Sequence, residues 1–386
     1  MYDYIIIGTG FAGSVLAERI ANDLNKKVLM LEKRKHIGGN MYDFYDEAGV
    51  LTHLYGPHIF HTNLKHVWDY VNQFGIWSNY QHEVLGSLDD KLLPIPFNLN
   101  TLHGMYDKEK ADRLEKILID TYGMEQKVPI LELRQSDNIE LQELAELVYQ
   151  KVFLNYTTKQ WGLTPEQLDP AVTNRVPVFI SRDNRYFQDT YQGLPKQGYT
   201  KIFETMLDNE YITVETSVDA LTRVKLNDGR IFFDGEEFTG KVIFTGQIEQ
   251  LFDYKYGELP YRSLHFIFKT LKEDYHYPVG TVNFPNEHDY TRITEFKHIT
   301  EQELAGVTTI MEEYPQSYDR NIPKQAIPYY PIPTAETDKL YQGYVNEAKM
   351  YPNLVLAGRL AQYKYFNMDA IIAESLKLYA EQIDNK

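Results

Sequence analysis

The chain has 386 residues, 43% of them hydrophobic and 24% charged, with a formal net charge of −16 and no cysteine. The missing cysteines exclude disulfides, thiolate metal sites and cysteine nucleophiles. The acidic balance speaks against a general nucleic-acid or anionic-membrane binder, so an anionic small substrate would need local arginines. The length suits two or three domains. No basic leader precedes the first strand and no apolar run approaches a membrane span, so a cytoplasmic protein without a signal peptide is expected.

Tyr2–Ile7 reads as a buried parallel strand, and Gly8-Thr9-Gly10-Phe11-Ala12-Gly13 follows at once. A helical pattern with Val15, Leu16 and Ile20 on one face comes next, then a strand, Lys27–Leu31, ending on Glu32. Strand, GxGxxG, helix, strand and acid in that order predict a Rossmann-like dinucleotide site. The glycines let the backbone approach a pyrophosphate, and the helix N-terminus supplies N–H groups and a positive dipole end. Glu32 is placed to accept from a ribose, which disfavours a 2′-phosphate. Lys33 to Asn40 carries a glycine pair, Gly38-Gly39, for a second close approach to cofactor; this favours FAD over NAD.

Beyond this unit the chain leaves and returns. Asn63 is a candidate cap for a helix through Phe74, and residues 79–97 read as short strands around Asp89-Asp90. Lys108–Tyr122 is helical with Gly123 as its stop, and Ser136-Asp137 is a candidate cap for a helix with a stripe of Leu141, Leu144, Ala145, Val148 and Val152. Gly198–Leu207 reads as a helix, and Tyr211–Val214, Leu221–Leu226, Arg230–Phe233 and Lys241–Thr245 as strands. A strand-rich excursion over 250–345 follows, with candidates Ser263–Phe268, Gly280–Phe284, Thr291–His298 and Val307–Met311. Pro328 and Pro331 bar the run between them from a central strand. Asn353–Ala357, then Gly358-Arg359 and a helix from Ala370 to Gln382, bring the chain back to the cofactor. The fold class is therefore α/β: a Rossmann-like FAD-binding domain (1–78, 196–248, 346–386), an inserted helical domain (98–165) and an antiparallel β-sheet domain (79–97, 166–195, 249–345).

Several segments together resemble the UDP-galactopyranose mutase family. They are Gly8–Gly13, Glu32 with His36–Asn40, Gly56–Thr62, the YTTKQWG run from Tyr156 to Gly162, Arg175 before Pro177, Tyr186-Phe187 with Tyr191-Gln192-Gly193, Tyr261–Leu264, Thr291–Glu295, Pro328–Pro331 and Gly358–Leu360 leading to Tyr365. The resemblance implies a flavoenzyme that interconverts the pyranose and furanose rings of UDP-galactose on reduced FAD, without net redox change. Flavin N5 would attack the anomeric carbon and displace UDP. A flavin iminium would open the ring, and O4 would reclose it.

The resemblance also implies residue roles. Arg175 and Arg292 fall at diphosphate positions, where planar guanidiniums suit the leaving group. Tyr156 and Trp161 fall at the uracil, Tyr186, Tyr330 and Tyr365 at the diphosphate and sugar, and Phe153, Thr157 and Asn283 at the substrate. His58 lies in the loop beside the flavin with Ile59, in a conformational and electrostatic role rather than acid–base transfer. Gly8, Gly10, Phe11, Ala12, Gly13, Glu32, Lys33, Gly38, Gly39, Asn40, Val218, Gly358, Arg359, Phe366, Asn367, Met368, Asp369 and Ile371 fall at cofactor positions. No metal is implied. An external reductant such as NAD(P)H or a reductase, a homodimer and a place in cell-surface polysaccharide synthesis are.

The chain departs from the family pattern at the sugar end. Asn367 stands where aspartate is usual, His82 near the usual asparagine, Asn155 before the YTTKQWG tyrosine in place of glycine, and Phe179 in place of arginine. These departures make a variant sugar nucleotide a second expectation: dTDP-fucopyranose or UDP-N-acetylgalactosamine. The cofactor fingerprint by itself is equally compatible with an amine-oxidase-like flavin oxidoreductase or a non-catalytic FAD-bound module.

Overall fold

The computed structural model describes residues 2–161 and 177–384. Five parallel strands form one sheet, in the order Ile212–Thr216, Val28–Glu32, Tyr4–Ile7, Lys241–Phe244, Leu354–Leu356. Side chains alternate across it. Ile6, Met30 and Ile243 share a core with Val15, Leu16 and Ile20 of the helix Phe11–Leu24 and with Ile372 and Leu378 of the C-terminal helix Met368–Leu378. Ile5, Ile7, Leu29 and Phe244 face the other way, onto Tyr344 and Ala348 of the helix Ala335–Ala348. Both faces are covered, which is why these strands read as unbroken apolar runs.

A second sheet has seven strands, in the order Tyr330–Pro331, Tyr261–Leu271, Thr308–Ser317, Arg292–Glu295, Thr281–Asn283, Val84–Leu88, Lys91–Ile95. It is antiparallel except where Thr281–Asn283 runs parallel to Val84–Leu88. Pro331 sits on its edge strand, where its missing N–H costs no ladder bond. Inserted after this sheet's last-ordered strand are the helices Leu99–Met105, Lys108–Tyr122, Ile130–Leu133 and Ile139–Val148, then a π-type turn over Tyr149–Leu154 and the helix Asn155–Trp161. They have their own core, which includes Leu114, Leu118, Leu141, Leu144, Ala145, Val148 and Val152. Among the described residues no helix is long and apolar enough to cross a membrane.

The structure differs from the sequence reading in several places. Asn63 does not cap a helix: its Oδ1 accepts from Thr190 N at 2.9 Å, while Thr62 Oγ1 takes Leu64 N at 3.0 Å and the helix runs Lys65–Val71. Asn138, not Ser136-Asp137, caps Ile139–Val148 by accepting from Glu140 N at 2.9 Å. The strand expected over Leu221–Leu226 is confined to Val224–Asn227, because Asp219 caps a tight turn at Ala220–Thr222. The strand expected over Thr291–His298 stops at Glu295. There the buried Glu295 carboxylate accepts from His276 N, Tyr277 N and Thr308 Oγ1, and Lys297 donates to the carbonyls of Asp274 and Val307, so the chain turns into the helix Phe296–Thr300. Ala335–Ala348 is a helix, started by a capping box between Thr334 and Thr337, within a stretch read as strand-rich. A ribbon pairing Lys127–Pro129 with Pro177–Phe179 also lies in the helical part.

Candidate active site

The fingerprint loop builds a cradle. Gly8 has φ +102, and a Cβ there would lie 2.1 Å from Thr245 Oγ1. A Cβ on Gly39, at φ +57, would meet Gly10 Cα at 3.0 Å, so the two glycine runs close on each other. Gly13 allows helix and strand to touch: its Cβ would stand 2.1 Å from Gly8 O. Glu32 is fixed at the end of its strand, accepting from Thr9 N at 3.0 Å, Thr9 Oγ1 at 2.7 Å and Arg34 N at 2.9 Å. Between these elements lies a cavity of ≈ 290 Å³.

Of the residues expected at the cofactor, Gly8, Gly10, Phe11, Ala12, Glu32, Lys33, Gly38, Gly39, Asn40, Val218, Gly358, Arg359, Phe366, Met368 and Ile371 line this cavity. His58, Ile59 and Asn367 line a second one instead, of ≈ 170 Å³. Gly13 and Asp369 line neither; Asp369 Oδ2 takes a hydrogen bond from Thr62 Oγ1 at 3.0 Å. Arg359 and Met368 line both cavities, so the two share a wall. A cradle with no room for a Cβ at Gly8, leading past the Glu32 carboxylate to a helix N-terminus, fits a dinucleotide.

The second cavity gathers His82, Tyr186, Asn283, Arg292, Tyr330, Tyr365 and Asn367 from the residues expected at the substrate. Asn283 and Arg292 face each other in register on adjacent strands. Tyr330 and Tyr365 stack at 5.4 Å, with the Arg359 guanidinium 5.3 Å and 5.8 Å from their centroids. Arg292 keeps its charge although burial works against it, because Glu313 and the nearby Tyr156, Tyr330 and Tyr186 favour the cation. Among the described residues Asn283 Oδ1 is buried without a hydrogen-bond partner, an acceptor able to receive a ligand O–H or N–H.

His58 and His82 are both neutral. Burial, with His53 and Arg359 adding, lowers His58 to about 3; burial, with Arg292 and His61 adding, lowers His82 to about 3. Neither is tuned to exchange protons near neutral pH. Phe153 lies in the core of the helical part rather than in the cavity. Tyr156 and Thr157 line neither cavity, but Tyr156 is close enough to Arg292, Tyr186 and Tyr330 to sense them electrostatically. Arg175 and the Trp161 side chain lie outside the described residues.

The structure adds residues that the sequence reading did not select. Arg34 stacks over the Tyr55 ring at 4.2 Å and donates to Asn40 Oδ1 at 2.9 Å, at the rim of the first cavity. His61, stacked on Phe187 at 3.7 Å and bonded to Asp189, lines the second, as does Thr281. Thr281 was within reach, since strand alternation puts it on the same face as Asn283. Among the described residues no group of three or more His, Asp or Glu is placed to hold a metal.

Two cavities sharing one wall, a dinucleotide cradle on one side and an arginine-bearing polar pocket on the other, define the class as that of Rossmann-type enzymes. The family profile described as UDP-galactopyranose mutase matches residues 151–365, and that of an NAD(P)-binding Rossmann-like domain matches 6–74. The sequence is 38% identical to the UDP-galactopyranose mutase of Mycoplasma pneumoniae, covering 99% of this chain and 96% of that one. It is 33% identical to the dTDP-fucopyranose mutase of Escherichia coli, covering 100% and 99%. The fold is similar to that of a crystal structure of reduced UDP-galactopyranose mutase, with a TM-score of 0.72 at 18% identity over 100% of this chain and 97% of that one. The chain belongs to the UDP-galactopyranose mutase family.

Proposed function

We propose that this protein interconverts the pyranose and furanose rings of UDP-galactose with FAD, active when reduced, as its cofactor. The supporting observation is the wall shared by the two cavities: the cradle on one side adjoins a pocket with an arginine, a stacked tyrosine pair and a buried amide acceptor on the other. FAD is held by the part built from 1–78, 196–248 and 346–386, and the sugar nucleotide enters where that part meets the sheet and the helical insertion. When bound, reduced FAD supplies the nucleophile for the anomeric carbon, so no serine, cysteine or lysine has to be activated.

The chain's own residues bind and orient. Arg292, with Arg175, stabilises the diphosphate as its charge grows on leaving. Tyr186, Tyr330 and Tyr365 supply hydroxyls and flat faces to diphosphate and sugar. Tyr156, Thr157 and Trp161 receive the uracil. Asn283, His82 and Asn367 meet the sugar hydroxyls. Neutral His58 lies beside Arg359 without adding a second positive charge. The N-terminus of Met368–Leu378 offers unpaired N–H groups to an anionic cofactor ring. The enzyme works in the cytoplasm as a homodimer, takes electrons from NAD(P)H or a reductase, and feeds polysaccharide synthesis.

A second reading keeps the chemistry and changes the sugar. It is favoured by the full-length similarity to a dTDP-fucopyranose mutase and by Asn367 and His82 in the second cavity. The deciding experiment is product analysis with dithionite-reduced holoenzyme on UDP-galactofuranose, dTDP-fucofuranose and UDP-N-acetylgalactofuranosamine. Conversion of none of them, with flavin reduced by an amine instead, would replace the mutase reading by an oxidase.

A further inference from the structure

The helix Asn155–Trp161 is gripped by two cations that form no ion pair among the described residues. Lys159 reaches out of the helix to three carbonyls of one loop: Phe284 and Glu287 at 2.9 Å each and His288 at 2.8 Å. Those three acceptors saturate an ammonium group. Arg262, on the strand Tyr261–Leu271 and only 8% exposed, grips from the other side. Its Nε donates to Gln160 O at 3.0 Å and its Nη2 to Lys159 O at 3.3 Å. These are carbonyls of the last described residues of the helix. Asn155 Nδ2 adds a third tie, to Asn286 Oδ1 at 2.9 Å.

The grip is conditional on docking. Arg262 is buried, its charge disfavoured by that burial, and among the described residues no carboxylate pairs with it. Among the described residues its acceptors are the helix's carbonyls. If the helix moved away, Arg262 would lose its acceptors and Lys159 would return to water. Both anchor points also lead to the second cavity. The loop held by Lys159 continues from the strand bearing Asn283, and Arg262 stands in register with Tyr330. The two cations therefore fix Tyr156 and Thr157 relative to the substrate residues of the sheet.

We propose that Lys159 and Arg262 are positioning residues for nucleotide recognition. They latch the helix carrying Tyr156 and Thr157 to the substrate sheet and set affinity for the nucleotide half of the substrate without touching the reacting atoms. The proposal rests on the reading of that helix as the uracil platform.

Holoenzyme carrying Lys159→Ala, Arg262→Ala or Arg262→Lys tests it, with hydrogen exchange of residues 150–161, UDP affinity and steady-state kinetics as readouts. In the two alanine variants the helix should lose protection while Phe11–Leu24 and the flavin content stay as in the wild type. The Kd for UDP and the KM should rise about tenfold or more, with kcat within about threefold, and Arg262→Lys should recover part of the loss. Unchanged protection overturns the latch. Lost protection with an unchanged Kd for UDP, or a fall in kcat alone, overturns its part in nucleotide recognition. Should Arg262→Ala not fold, Lys159→Ala decides. If the wild type itself binds no UDP, the uracil-platform reading fails, and the exchange data still decide the latch.

Discussion

Arg292 Nε lies 3.3 Å from Glu313 Oε1, and the two residues face each other in register across neighbouring antiparallel strands. Glu313 is buried, and among the described residues neither Arg292 Nε nor Glu313 Oε1 has a hydrogen-bond partner. The pair thus balances charge without a closed hydrogen bond between these atoms, while Arg292 also lines the second cavity. Burial pushes the Glu313 carboxyl up, against the pull of Arg292. Stability and function separate here. Arg292→Met should cost about 3–5 kcal/mol by leaving an unbalanced buried carboxylate. Adding Glu313→Gln should recover most of that stability and none of the turnover. Urea denaturation and assays of reduced enzyme check both, and a double variant no more stable than Arg292→Met would remove the charge-balance argument.

The neutral histidines give a pH prediction. His58 and His82 sit at about 3 in the folded protein against 6.5 when exposed. Below 6.5 the unfolded chain takes up protons that the folded one refuses, so unfolding becomes easier as pH falls from 6.5 toward 3. Above 6.5 neither group contributes a slope. Each contributes on the order of a few kcal/mol across that window. Melting temperature measured from pH 7.5 to 4 should fall through the window, and His82→Asn should flatten the fall. An equally steep profile in that variant would show that His82 titrates normally.

How far these features could be read from sequence depends on how local they are. The cradle was legible because strand, glycine turn, helix and Glu32 lie within one short run whose spacing carries the geometry. Glu313 was not: in Met-Glu-Glu-Tyr it reads as one of two acids on a strand, and only the register with Arg292 gives it a role. His61 meets Asp189 across 128 residues, which no local pattern encodes. The misplaced caps have a similar cause. Asn63 is a good cap by type, but a distant segment claims its carbonyl oxygen. The helix Ala335–Ala348 did carry a local signal, Thr334 with Thr337, obscured by the prolines before it.

Glycine substitutions distinguish cradle from fold. Gly8→Ala places a Cβ 2.1 Å from Thr245 Oγ1 at φ +102, in the wall of the first cavity. Gly49→Ala has a similar backbone, φ +80, but meets nothing within 4 Å. Both carry the left-handed penalty of about 1 kcal/mol. Gly8→Ala alone should lose FAD. The ratio of flavin absorbance to protein after purification measures this, and full FAD occupancy in Gly8→Ala would mean the cradle tolerates a side chain.

Asn367 tests the sugar end. It is the cap residue of Met368–Leu378, makes no side-chain cap bond, and lines the second cavity near Arg359. Aspartate there would be favoured by the helix dipole, by about 0.3–1 kcal/mol, and by the neighbouring guanidinium. Asn367→Asp should therefore keep FAD and fold at least as stably as the wild type. It would also replace a side chain that both donates and accepts by one that only accepts. A sugar hydroxyl that now accepts from Asn367 would have to turn and donate, which a ring oxygen or a C–H position cannot do. The ratio of kcat/KM for UDP-galactofuranose to that for dTDP-fucofuranose should shift by about tenfold, the scale of one altered buried hydrogen bond. A ratio unchanged across the panel, with FAD bound and stability intact, would place Asn367 outside sugar recognition and leave His82, Thr281 and Asn283 as the groups that select the sugar.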